Sequence, residues 1–379
     1  MNFNLTEEQI LIQQTARAFS EQYLEPFAAQ HDTESHFPAE ILPKMTELDL
    51  MGMPYPAEVG GAGADYLSYI LVIEEMSKAD AGIAIAYSAH CSLGMYPIFK
   101  WGSAHLKEKY LAPLAKGEKF GAFALTEPGA GTDAGAGKTT AVINGGDYVL
   151  SGTKCFITNG GVADVYIIFA LTNPSAGVKG LSAFVMDGSL SGVEIGKHED
   201  KMGIRSSQTT EVIMKNVRVP KENLIGKEGD GFKIAMQTLD GGRIGVAAQA
   251  LGIAEAALAE AVKFSKERIQ FGKPIAANQA IQWKLAEMAA DIEAARFLVY
   301  SAATKKEEGK AISVEAAMAK MVTSEMALTV CDKAVQIHGG YGYIKDFKVE
   351  RLYRDAKITT IYEGTNEVQR MVIAGALLR

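Results

Sequence analysis

The chain has 379 residues, 48% of them hydrophobic, enough to bury a sizeable core spread over two or three domains. Its 38 basic and 45 acidic residues give a formal charge of −7. No Lys/Arg cluster stands out, so nucleic acid and anionic membrane surfaces are poor partners. The isolated cysteines Cys91, Cys155 and Cys331 argue against a disulfide framework and fit a reducing compartment. The opening MNFNLTEEQ carries neither a secretory nor a transit pattern, and no apolar run reads as long enough to span a bilayer. A soluble cytoplasmic protein is the expectation.

Residues 5–120 read as mostly helical. Thr6 and Gln9 form a capping box, followed by Ile12, Ala16, Phe19 and Tyr23 on one face. Segments 66–78 and 83–100 are further apolar helices, and Gly60, Gly61 and Gly63 mark a loop. From Gly121 the texture changes to short β-branched and aromatic runs, YVLSGTKCFITNG, VYIIFALT, LSAFVM and TTEVIMKNVRV, punctuated by turn signals. This antiparallel β region ends near Ile225. Helical periodicity returns after Gly231: over 233–267, from about Gln279 to Glu308, from Ser313 to Gly339–Gly340, and from Thr365 onward. Long helices of this kind pack as an antiparallel bundle. The charge run KKEEGK (305–310) reads as a solvated helix end.

The stretch LTEPGAGTDAGAGKTT (125–140) invites a nucleotide-binding reading. A phosphate-wrapping loop ahead of Lys138 requires glycine where Thr132 stands, so that pattern fails. A dinucleotide fingerprint fits locally as Gly129-x-Gly131-x-x-Ala134, but it must open a helix, and TAVINGGDYVL reads as strand and turn. A plain surface loop is the bland alternative. The dense polar set Thr126, Glu127, Thr132 and Asp133 around close-approach glycines suits contact with a flat polar ligand instead.

ALTEPGAGTDAGA (124–136) resembles the first signature of the acyl-CoA dehydrogenases, and QIHGGYGYIKDFKVERLYRD (336–355) the second. The resemblance extends through CFITNG (155–160), LDGGRIG (239–245), RIQFGKPI (268–275) and IYEGTNE (361–367). Within the family the chain looks most like the short-chain, butyryl-CoA members of anaerobic bacteria. The resemblance implies an α+β multidomain fold with a helical N-terminal domain over 1–120. An antiparallel β middle domain over 121–230 and a C-terminal four-helix bundle over 231–379 would follow. FAD would lie between the last two.

The reaction so implied is α,β-desaturation of an acyl-CoA thioester. A weak carbon acid needs a carboxylate base in a water-poor pocket, where desolvation raises its basicity. The enolate oxygen needs preorganised donors, and the redox group must be fixed against the Cα–Cβ bond. By resemblance Glu363 is the base; from position alone it is as readily an acidic residue favoured at a helix N-terminus. The resemblance gives Gly364 as room for the thioester, the Glu363 N–H and the flavin 2′-hydroxyl as donors to its oxygen, and Tyr362 as pocket lining. Phe123 to Thr132 would edge the flavin, including Leu125, Thr126 and Gly131, with Thr132 also meeting substrate. Phe156, Ile157 and Thr158 would cover another part of the ring. Arg268, Gln270 and Phe271, with Gln279 and the run Gln336 to Gly340 (Gly339 included), match a cofactor site completed from a neighbouring subunit. That implies a homotetramer. Thr365 and Glu367 open the last helix, a natural anion site. Asp240 and Arg243 match residues at the CoA moiety.

His90, His198 and the other histidines show no metal spacing and read as structural or surface residues. Relatives with longer or isovaleryl substrates carry the base where this chain has Gly242, and glutaryl-CoA enzymes an arginine where it has Ala84. A short, unbranched, uncharged acyl chain is therefore favoured, with electrons passed to an electron-transferring flavoprotein. Rival readings are an oxygen-using acyl-CoA oxidase of the same fold and a non-catalytic flavin or acyl-CoA binding module.

Overall fold

A computed structural model describes residues 4–378. Helix α1 (Glu7–Phe19) begins at the expected capping box, with Gln9 N–H donating to Thr6 Oγ1 (3.2 Å) and Thr6 N–H to Gln9 Oε1 (2.9 Å). Two short helices, α2 (Ala28–Glu34) and α3 (Leu42–Glu47), lead to α4 (Tyr66–Ala79), which is apolar on nearly every face and correspondingly buried. Asp80 ends it and caps α5 (Ala81–Ser88) by accepting from the N–H groups of Gly82 and Ile83. A π-helical stretch, Ala89–Met95, joins α5 to α6 (Tyr96–Trp101), so the apolar segment 83–100 is one helical run with a wider turn inside it. Two short helices, α7 (Ala104–Leu106) and α8 (Ala112–Ala115), close the first helical part.

Eight strands follow: β1 (Gly121–Ala124), β2 (Thr140–Asn144), β3 (Asp147–Thr158), β4 (Val165–Leu171), β5 (Leu181–Asp187), β6 (Val193–His198), β7 (Thr209–Val219) and β8 (Leu224–Ile225). They form one sheet in the order β6-β7-β3-β2-β4-β5-β8, with β1 against β4. The expectation of an antiparallel domain needs correction, because the sheet is mixed. β1 runs parallel to β4 (Gly121↔Val165 through Ala124↔Ile168), and β2 meets β4 in parallel at Thr140↔Leu171. Between β1 and β4 the chain makes a long crossover through the glycine stretch and the β2–β3 hairpin, as parallel neighbours require. VYIIFAL is buried over almost its whole length, the mark of a strand covered on both faces. The hairpin turns at Gly145 (φ +64°) and Gly146 (φ +95°), where two successive positive φ values call for glycine.

The C-terminal part contains α9 (Gly231–Glu267), a small hairpin of β9 (Ile269–Gln270) and β10 (Lys273–Pro274), then α10 (Gln279–Glu307) and α11 (Ser313–His338). Helices α12 (Lys348–Ile358) and α13 (Asn366–Leu377) complete it. The three long helices and the last one match their expected spans. Helix α12 was not foreseen: KVERLYRDAKI is short and mostly charged, although Val349, Leu352 and Ala356 fall on one buried stripe. Contrary to expectation, α9 is long and apolar enough to cross a bilayer, but most of that window is buried inside the fold, as in a core helix. The run KKEEGK is only partly a solvated end. Lys306 lies over the rings of Tyr66 (4.9 Å) and Tyr96 (4.2 Å), and Glu307 accepts from the Tyr66 N–H (2.8 Å).

One hydrophobic core joins Tyr69 and Ile73 of α4, Ile167 and Phe169 of β4, Val185 of β5 and Ile244 and Ala247 of α9. Two further clusters lie within the bundle and on the other face of the sheet.

Candidate active site

Helix α12 ends at Ile358, and the chain turns through Tyr362 and Glu363 before Thr365 caps α13 by accepting from Val368 N–H (3.5 Å). Glu363 has φ +52° and Gly364 φ +89°. A left-handed glutamate is a strained choice that persists where surroundings over-determine it. Here they do: the Glu363 carbonyl accepts from Arg243 Nε (3.3 Å) and Gln369 Nε2 (3.3 Å). The Gly364 carbonyl accepts from Gln369 Nε2 (2.8 Å) and Lys320 Nζ (3.0 Å). Three helices thus hold two successive carbonyls and aim one carboxyl.

That carboxyl faces α9. A Cβ at Gly242 would overlap Glu363 Oε2 and stand 2.9 Å from Leu93 Cδ2, so glycine leaves the space the carboxyl uses. Glu363 Oε2 is sealed from solvent and has no hydrogen-bond partner. Burial pushes the carboxyl up to about 7, against the opposing pull of Arg243 and Lys320. Arg243 also donates to Asp240 Oδ1 (2.8 Å), whose other oxygen accepts from Ser313 Oγ (2.5 Å). Both members of the Asp240–Arg243 pair are buried, and through the bond from Arg243 to the Glu363 carbonyl the pair supports the turn. Tyr362 donates its hydroxyl to Gln249 Oε1, which fixes its ring beside the turn.

The π stretch carries this site to the sheet. Leu93 touches Gly242 on one side, and on the other a Cβ at Gly94 would lie 3.1 Å from the Gly121 carbonyl carbon. His90 in the same stretch accepts from Gly121 N–H through Nδ1 (3.0 Å) and stacks on Phe120. Burial lowers its imidazole to about 4, so it is a neutral structural residue, while His198 is exposed. Among the described residues no group of His, Cys, Asp or Glu could hold a metal ion.

Beyond β1 the glycine stretch arches over the β3 end. Thr126 O accepts from Cys155 N–H (3.0 Å), which draws Thr126 together with Phe156, Ile157 and Thr158. Phe123 packs its ring on Phe169 (4.9 Å), and Ile157 is buried. Phe156, by contrast, is 65% exposed and left-handed (φ +56°), an arrangement costly in water and suited to lying against a flat ring system. Gly129 and Gly131 have nothing within 4 Å of where a side chain would be, leaving the backbone open to a ligand. Thr132 is exposed beside them. These residues fit a flavin. Glu127 does not belong to that face: its carboxylate turns inward to Lys154 Nζ (2.7 Å) and the N–H groups of Lys138 (2.6 Å) and Thr139 (3.1 Å).

Arg268, Gln270, Phe271, Gln279, Gln336, Gly339 and Gly340 form a separate, mostly exposed group. Arg268 lies 5.1 Å over the Tyr341 ring, which brings the hairpin and the turn after α11 together. Phe271 is fully exposed and left-handed (φ +51°). Arg268 stands 26 positions beyond Gly242, the last at the end of α9, about 39 Å away by helical rise. This group does not join the Glu363 site within one subunit. Glu367 is exposed in the first turn of α13.

Sequence reasoning missed Lys320, Lys154, Gln249, Asn366 and Gln369. Two left a signal: Lys154 occupies an inward position of β3's alternation, and Lys320 sits on the apolar stripe of α11 with Ala316, Thr323 and Ala327.

Comparison with known proteins agrees with this geometry. Three acyl-CoA dehydrogenase families match: the N-terminal domain at 6–118, the middle domain at 122–217 and the C-terminal domain at 229–378. The chain is 53% identical over 379 residues, the whole of both proteins, to the short-chain specific acyl-CoA dehydrogenase of Clostridium acetobutylicum. It superposes with TM-score 0.99 and 54% identity, over 100% of each chain, on the butyryl-CoA dehydrogenase of Megasphaera elsdenii. With the same score and coverage, and 55% identity, it matches a chain in a structure of the electron transferring flavoprotein of Acidaminococcus fermentans, work directed at flavin-based electron bifurcation. The helical, mixed-sheet and helical parts around the inward-facing Glu363 carboxyl define a flavoenzyme-type acyl-CoA scaffold. The chain belongs to the acyl-CoA dehydrogenase family.

Proposed function

We propose that the protein catalyses FAD-dependent α,β-dehydrogenation of a short-chain acyl-CoA, butyryl-CoA to crotonyl-CoA or the reverse. Electrons are exchanged with an electron-transferring flavoprotein, and the enzyme is a cytoplasmic homotetramer. The observation that carries the reading is the Glu363 carboxyl: its Oε2 is sealed from water and has no partner, and its turn is held by carbonyls fixed from three helices. Such a carboxylate takes an α-proton from a thioester lodged against Gly364, while its own N–H donates to the thioester oxygen. FAD, when bound, supplies the acceptor for the hydride that leaves Cβ. Phe123, Leu125, Thr126, Gly131, Thr132, Phe156, Ile157 and Thr158 would hold its ring end, Thr365 and Glu367 lying at the opening of α13. Tyr362 and Thr132 would line the substrate, with Asp240 and Arg243 at the CoA arm. The distance of Arg268 from Gly242 supports a cofactor site whose far end is completed by Arg268, Gln270, Phe271, Gln279, Gln336, Gly339 and Gly340 of another subunit. The proposed domains are 1–120, 121–230 and 231–379, supported by the change from helix to strand at Gly121 and the start of α9 at Gly231.

Anaerobic butyryl-CoA should bleach the purified flavoprotein, with kcat/KM highest near four carbons. The rate should rise with pH through about 7, because only the ionised Glu363 accepts a proton. Rapid reoxidation by air, a maximum at octanoyl-CoA or strong turnover of glutaryl-CoA would each overturn part of this reading.

Gly242→Ala places a methyl where Glu363 Oε2 stands. Because the carboxyl is the end of a flexible side chain it can move aside, so folding and FAD content should survive. Misplacing a reacting group by about 1 Å costs on the order of 10²-fold, and stopped-flow flavin reduction should show a loss of that size.

A further inference from the structure

We propose that Lys320 is the positioning residue of the base: a buried ammonium on α11 that clamps the Glu363–Gly364 turn through the Gly364 carbonyl and sets a positive charge at the residue next to Glu363. The inference rests on the reading of Glu363 as the base.

Lys320 is completely buried. An ammonium taken out of water is costly unless hydrogen bonds and opposite charge offset it. Its hydrogen bonds go to two neutral acceptors, the Gly364 carbonyl (3.0 Å) and Asn366 Oδ1 (2.9 Å). Asn366 is itself held by Ser324 Oγ, to which its Nδ2 donates (3.0 Å). Among the groups that counter its burial, Glu363 contributes first, with Glu367 and Glu325 behind it; even so the ammonium is lowered to about 8. The relation is reciprocal, since Arg243 and, after it, Lys320 are the two groups that oppose protonation of Glu363. The charged and titratable groups around the turn are Arg243 with Asp240 from α9, Lys320 and Glu325 from α11, Glu367 from α13, Tyr66 from α4 and the neighbouring Tyr362. Arg243, paired to Asp240, opposes protonation of Glu363 more strongly than Lys320 does. Lys320 is distinguished by its place: it adds its charge while holding the backbone of the turn through the Gly364 carbonyl (3.0 Å). The same atom therefore fixes the backbone that aims Glu363 and adjusts its proton affinity.

The test is an infrared titration of the Glu363 carboxyl in the holoenzyme, with Glu363→Gln as the blank, alongside the acid limb of kcat/KM for butyryl-CoA. Removing the positive charge that is hydrogen-bonded to the neighbouring Gly364 carbonyl should raise the Glu363 midpoint by about one pH unit in Lys320→Met. That lowers the rate about fivefold at pH 7 and returns most of it by about pH 9. Lys320→Arg keeps the charge and should hold the midpoint within about 0.3 unit of wild type. A Met variant that titrates with the wild-type midpoint refutes the proposal. If the Met variant does not fold, a full-unit rise in the Arg variant refutes it as well. The titration needs no turnover, so it answers for Lys320 even if Glu363→Gln proves active and the base reading falls.

Discussion

Glu363→Gln is expected to reduce the rate of flavin reduction by butyryl-CoA about 10³–10⁴-fold or more while leaving the fold and FAD content intact. Loss of a general base costs about 10²–10⁴-fold, and a carbon acid as weak as a thioester α-carbon belongs at the top of that range. No neighbouring group is placed to take over: the facing position is Gly242, Arg243 and Lys320 are cations, Asp240 is engaged by Arg243 and Ser313, and the hydroxyls of Tyr66 and Tyr362 are bonded to the Gly241 carbonyl and Gln249. The change should appear in kcat and kcat/KM together, since the lost interaction is made in the transition state. Its effect on stability has a definite sign. The folded Glu363 carboxyl lies near 7 against an ordinary 4.5, so its protonated form is favoured by folding, and stability from this group is lost as pH rises from about 4.5 through about 7. Glutamine removes that penalty: the variant should melt a few degrees above wild type at pH 8, and the advantage should vanish near pH 5. A Gln variant that bleaches within tenfold of wild type would show that another group takes the proton.

The second large effect is expected at Lys154, which the structure buries against Glu127 under the glycine stretch. Burial drags the Lys154 ammonium below its ordinary range, while Glu127, held by Lys154 and two backbone N–H groups, stays below its own. Lys154 Nζ also donates to the Leu125 carbonyl (3.0 Å), so Lys154 holds the start of the loop, and Glu127 links that start to its end at Lys138 and Thr139. Removing one partner of a buried pair typically costs about 3–5 kcal/mol, because the other is left as an uncompensated charge. Lys154→Met should therefore lower the thermal midpoint sharply and release FAD on gel filtration. Adding Glu127→Gln keeps an acceptor for Lys138 and Thr139 N–H but removes the orphaned charge, and should recover a good part of the loss. If Lys154→Met unfolds within about 0.5 kcal/mol of wild type, the pair is not what holds the loop.

The helices announced themselves through caps and periodicity: the Thr6–Gln9 box, the start of α10 at Gln279 and the opening of α13 at Thr365 all stand where the sequence placed them. The direction of β1 beside β4 was not legible, since alternation reports which face a residue occupies and not which neighbour it pairs with. The site divides in the same way. Glu363 and the glycine stretch lie in contiguous motifs and could be read from resemblance. The residues that pin them, Lys320, Gln369 and Lys154, come from distant segments and act through single hydrogen bonds to backbone carbonyls, a relation with no sequence period. Glu127 was read on the wrong side of its loop because a carboxylate among glycines looks the same whether it faces a ligand or a buried lysine.

The shared core described above bears on how the molecule comes apart. Ile244 and Ala247 of α9 belong to the same apolar cluster as Tyr69 of α4, Phe169 of β4 and Val299 of α10. Gly245 and Gly252 let that helix approach so closely that a methyl at either would strike Ser88 or the Glu74 carbonyl. Glycines weaken an isolated helix by roughly 1 kcal/mol each, so α9 depends on its neighbours for its own persistence. The three sequence-contiguous parts are therefore not three folding units. Melting should be cooperative across all of them, and a fragment cut at Gly121 or Gly231 should leave part of that shared core facing water.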